Sequence, residues 1–154
     1  VTAEALWPYA LEAYGRPGAE PLLLQLQDAH GQCVAYLLWS LWMAASGRAA
    51  DEAALRSGAE LARAWQDAAI APLRRLRRDL KSDAKPGPKA ARERLRDGVK
   101  QLELDAERML LQMLEEASPA PGGGASPLQS LTAAARAWGG DPPAALLARL
   151  AAFA

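Results

Sequence analysis

Residues 95–113 read LRDGVKQLELDAERMLLQM, and their spacing decides the fold class. Leu95, Val99, Leu102, Ala106, Met109 and Met113 follow one another at intervals of 4, 3, 4, 3 and 4, the alternation that keeps one face of an α-helix apolar from turn to turn. A strand would need alternation at every second residue. Upstream, Leu55, Ala62, Ala69 and Leu76 recur every seventh residue, with Ala59, Gln66, Leu73 and Leu80 interleaved four later. This predicts a helix from about residue 51 to about 83, N-capped by Asp51. Pro72 lacks the N–H that an uninterrupted helix would use, so a kink or break is expected near residues 68–71. The segment SDAKPGPK, 82–89, reads as a turn, and the two periodic segments as an antiparallel helical hairpin.

Working outward, the first third carries shorter helical patterns separated by glycine. A helix is expected from about Ala3 to Tyr14, with Gly15 and Pro17-Gly18 ending it. A second starts near Glu20, takes Pro21 in its first turn and closes at His30-Gly31, where Gly31 suits a left-handed cap. A third, residues 33–46, is apolar nearly all round, which places it at the centre of a core. At the other end SPAPGGGAS, 118–126, has the composition of a flexible linker. After it, Ser126-Pro127-Leu128-Gln129 matches a capping box, and Asp141-Pro142-Pro143 opens a last short helix; this pair is expected to dock back on the body. The expected fold is all-α: a compact N-terminal helical cluster, a long antiparallel hairpin and two short C-terminal helices. The expected organisation is one helical domain over 1–117 (cluster 1–47, hairpin 51–117), a linker at 118–126 and a helical pair at 127–154.

A chain of 154 residues is long enough to bury a core without metals or disulfides. Its single cysteine, Cys33, forms no internal disulfide, so a cytoplasmic setting is the expectation. No leader is visible at the N-terminus, and the most apolar run, 33–45, falls short of the roughly 20 residues that span a bilayer.

The pieces LWPYALEAYGRPG (6–18), LLLQLQDAHGQCVAYLLWSLWMA (22–44) and APLRRLRRDLK (71–81) together resemble an uncharacterised family of small helical proteins of proteobacteria, domain of unknown function 2390. The resemblance covers residues 6 to about 116. It implies a helical fold and a bacterial cytoplasmic setting, and brings no activity, cofactor or catalytic residue with it.

Several constellations invite chemistry. Asp28, His30 and Cys33 lie within six residues, as a His-activated thiol would require. However, the helix stop at Gly31 separates the pair, and Cys33 opens a helix expected to be buried. Glu103 and Glu107 share a helix face, with Asp67 across the hairpin. A di-iron bundle also needs Glu-x-x-His pairs, which this sequence lacks. No cofactor or metal is expected, and no catalytic residue. The five tryptophans (7, 39, 42, 65 and 138) fall mostly on apolar faces and are expected in the core, with Trp7 the most exposed.

Charge is the strongest functional signal. The whole chain is neutral, yet positions 74 to 100 hold eleven Lys/Arg against four Asp/Glu. On a helix, Arg74, Arg77, Arg78, Lys81 and Lys85 fall in a sector about 100° wide, beside the apolar seam. They form the candidate partner-binding stripe. An acidic protein is the expected partner, followed by RNA or DNA and then an anionic membrane surface. The leading expectation is a non-enzymatic interaction or adaptor protein, with nucleic-acid binding second. An enzyme with a pocket between cluster and hairpin stands third.

Overall fold

A computed structural model describes residues 5–82 and 85–154. The expected start of the first helix at Ala3 and the middle of the 82–89 turn lie outside them. Among the described residues there is no strand. Helices run in the order α1 Leu6–Gly15, α2 Ala19–His30, α3 Val34–Ala45, α4 Glu52–Trp65, a π-helical turn Gln66–Ile70, α5 Ala71–Asp79, α6 Lys89–Glu116, α7 Pro127–Trp138 and α8 Ala144–Ala151. The all-α expectation is met. The chain divides into two compact units, one of residues 1–62 and 111–154, the other of residues 63–110.

The first unit is built around α3. Its sequence VAYLLWSLWMAA leaves no polar face, and Tyr36 through Met43 are all buried. Burying such a helix requires neighbours on every side, and α1, α2 and α7 pack against it, with α8 on α2 and α7. Tyr36, Trp39 and Trp138 nest together with their polar tips satisfied. Tyr36 lies 5.5 Å from Trp39 and 5.6 Å from Trp138 between ring centroids. Its hydroxyl donates to the Leu55 carbonyl at 2.9 Å, while the indole N–H groups of Trp39 and Trp138 donate to Ser118 Oγ and the Gly31 carbonyl, each at 2.8 Å. Trp39, Trp42 and Trp138 are buried as expected, and Trp7 is half-buried.

The end signals read from sequence are present. Gly31 caps α2 at φ 63°. Asp51 Oδ1 accepts the Ala54 N–H at 2.8 Å. Ser126 and Gln129 form a reciprocal capping box. The Pro/Gly segment 118–126, expected from composition to be a flexible linker, is tied to the turn after α3. Gly122 and Gly123 donate to the Gly47 carbonyl, and Arg48 Nη1 donates to the Pro119 carbonyl at 2.6 Å. Arg48 also lies 4.6 Å from the centre of the Trp42 ring, so the cation that grips the segment is itself held against α3.

In the second unit the expected kink takes the form of the π-helical turn Gln66–Ile70, which runs straight into α5 with Pro72 in its first turn. A π-turn inserts one residue into the ladder. Pro72 then falls where a missing N–H costs little.

Candidate interaction surface

The second unit carries the basic stretch, and its geometry separates the five stripe residues. Arg74 and Arg77, one helical turn apart on α5, both reach Glu103 on α6. Arg74 Nε donates to Glu103 Oε1 at 3.1 Å and its Nη2 to Glu107 Oε1 at 3.4 Å; Arg77 Nε donates to Glu103 Oε2 at 2.5 Å and its Nη2 to Oε1 at 3.3 Å. Arg74 and Arg77 side chains are 18% and 23% exposed and Glu103 only 9%, so this is a largely enclosed ion-pair network. Trp65 Nε1 adds a hydrogen bond to the Ala106 carbonyl at 2.8 Å, and Arg96 Nε one to the Arg77 carbonyl at 3.3 Å.

The electrostatics follow from this enclosure. Burial pushes the Glu103 carboxyl up, but hydrogen bonds and the charges of Arg77 and Arg74 outweigh it and hold the group below the usual range. The bond to Glu103 raises Arg77 still further. Glu107 has only the longer Arg74 contact, so burial wins and its carboxyl is pushed up.

Arg78, Lys81 and Lys85 are exposed, as is Arg75, which the stripe did not include. The helical-wheel argument failed for Arg74 and Arg77 because it treated every cation beside the seam as facing solvent. Glu103 and Glu107 at i, i+4 and Arg74 and Arg77 at i, i+3 on the facing segment were the available signal. Those charges match across the two helices.

The apolar seams are corrected in part. Leu55, Ala59, Ala62, Val99 and Ala106 are buried as expected, but Leu76, Leu95, Leu102 and Met109 are exposed, and Glu103, Leu110, Leu111 and Leu114 complete the buried side of α6. Ion pairing takes the place of leucine packing between α5 and α6.

The catalytic candidates are placed elsewhere. Cys33 is buried at the N-cap of α3, where its carbonyl accepts the Leu37 N–H at 3.0 Å, and His30 is the last residue of α2. Asp67 sits exposed on the π-turn, outside the Glu103 network. Among the described residues no group of three His, Cys, Asp or Glu side chains is arranged to hold a metal ion, and no helix is long and apolar enough to cross a membrane.

Residues 5–114 match the family described as "Protein of unknown function (DUF2390)". The chain belongs to that family. The match spans α1 to α3 of the first unit and the whole of the ion-paired second unit, and ends before α7 and α8. No curated protein and no solved structure matches the chain.

Proposed function

We propose that this DUF2390 protein is a non-enzymatic interaction or adaptor protein. It binds an acidic protein partner through Arg75, Arg78, Lys81 and Lys85, with Arg74 and Arg77 as the scaffold that orients them. One observation carries the reading. Between positions 75 and 100 the described residues expose seven Lys/Arg against three Asp/Glu, while the nearby acidic groups Glu103 and Glu107 are spent on the inner arginines. The exposed cations outnumber the exposed carboxylates there, and a rigid basic surface steers acidic ligands and speeds their capture. The ion-paired edge gives α5 a fixed orientation, which lowers the ordering cost of docking.

RNA or DNA binding by the same cations is the competing reading, and salt dependence separates the two. The test is capture of partners from bacterial lysate with and without nuclease, followed by titration of the captured species at two salt concentrations. The proposal expects a nuclease-resistant acidic protein and a shallow salt slope. A nuclease-sensitive signal with the steep slope of counterion release would replace it with nucleic-acid binding.

A further inference from the structure

On α6 the residues Leu95, Leu102 and Met109 are 59%, 55% and 48% exposed. At intervals of seven they lie in a single stripe that drifts only about 20° per step. Gly98 sits inside it, three residues after Leu95 and four before Leu102. A glycine in a helix interior costs about 1 kcal/mol relative to alanine, and no close approach among the described residues calls for one here. A Cβ built at Gly98 meets no atom within 4 Å. The stripe thus has two knobs, a hole between them and a third knob beyond, which is what a facing helix needs for close approach.

The charges flanking the stripe say which helix fits. Arg94 and Asp105 lie on the same edge of it, and Gln101 Nε2 holds Asp105 Oδ1 there at 3.0 Å. If a second α6 runs antiparallel with its Leu102 over Gly98, Arg94 of each copy meets Asp105 of the other. The two-fold relation makes both pairs at once, an isologous interface. In a parallel arrangement the edge that carries Arg94 and Asp105 faces the partner's opposite edge, so neither cross-pair can form. We infer that α6 is a self-association surface and that two copies of this chain pair antiparallel through the Leu95, Gly98, Leu102 and Met109 stripe. This pairing is independent of the basic-surface reading, because Arg75, Arg78, Lys81 and Lys85 take no part in it.

The experiment is sedimentation equilibrium of the full chain across a wide concentration range, with circular dichroism at each step. The native protein is expected to show a monomer–dimer equilibrium. Leu102→Glu alters an exposed position and is expected to keep its helical signal and stay monomeric. Arg94→Asp should weaken the dimer by about tenfold or more, and the charge-swapped pair Arg94→Asp with Asp105→Arg should restore it. A native chain that stays monomeric at all concentrations overturns the inference. So does a dimer indifferent to Leu102→Glu. Failure of the swap to restore association overturns the antiparallel register, and the pairing proposed here with it.

Discussion

Replacing Glu103 by Gln keeps the size of the side chain and removes its charge. In the native protein the carboxylate accepts hydrogen bonds from Arg74 Nε at 3.1 Å, Arg77 Nε at 2.5 Å and Arg77 Nη2 at 3.3 Å. A hydrogen bond to a charged group contributes about 1.5–3 kcal/mol. The third bond is long, and both guanidinium groups keep some access to water, 18% and 23%, so solvent recovers part of what is lost. The amide oxygen of glutamine also retains one acceptor. These terms leave an expected loss of about 2 kcal/mol, or a fall of roughly 4–8 °C in melting temperature for a chain of this size. The assay is urea denaturation of native protein, Glu103→Gln, Arg77→Met and the double variant. A double-mutant cycle isolates the pair from the separate effects of each change. A coupling of about 1 kcal/mol or more is expected. Coupling near zero, with each single change below about 0.5 kcal/mol, would refute the view that the network orders α5 against α6.

Three further outcomes follow from the same geometry. Gly58→Ala should destabilise by about 1–3 kcal/mol in a thermal melt despite its better helix propensity, because the new Cβ would lie 2.5 Å from Cη2 of Trp39, an indole that is buried and hydrogen-bonded to Ser118; an unchanged melt would mean that the ring has room to move. Trp39→Ala should cost about 3–5 kcal/mol by denaturant titration, and a cost below about 1 kcal/mol would contradict its central place. The lowered Glu103 carboxyl stabilises the protein above the ordinary Glu range, and that contribution is lost as pH falls through its depressed value. Glu107, pushed up, works the other way, since protonation relieves it as pH falls through its raised value. Melting temperature against pH should therefore fall less steeply on the acid side in Glu103→Gln than in native protein, and an identical acid limb would remove Glu103 from the account.

Much of the fold was legible because helix ends are written in local chemistry. The left-handed turn at Gly31, the Asp51 cap, the Ser126–Gln129 box and the break before Pro72 each depend on a few adjacent residues. The inward face of α6 was not legible in the same way. An apolar count favours Leu95, Leu102 and Met109 over Glu103, yet Glu103 is buried and the other three are exposed. Whether a carboxylate faces inward depends on cations from another helix, which no periodicity within α6 records. The candidate stripe shows the same limit. Arg74 and Arg77 have the same spacing whether they face water or Glu103, so the sequence located the basic stretch and missed that these two turn to Glu103. Segment 118–126 gives a third instance. Its glycines look like a linker from composition, and their hydrogen bonds to Gly47 arise only once α3 has placed that turn beside them.

The central claim is that the exposed cations Arg75, Arg78, Lys81 and Lys85 carry partner binding, and not Arg74 and Arg77, which Glu103 holds. Its most direct test is the affinity of the triple variant Arg78→Glu, Lys81→Glu and Lys85→Glu for the captured acidic partner, measured by titration beside native protein and with thermal melting as the control. Exposed charges contribute only about 0 to 1 kcal/mol each to stability, so the melt should hold while affinity falls by roughly tenfold or more. Unchanged affinity with an unchanged melt would show these side chains to be an ordinary solvated face and would contradict the account.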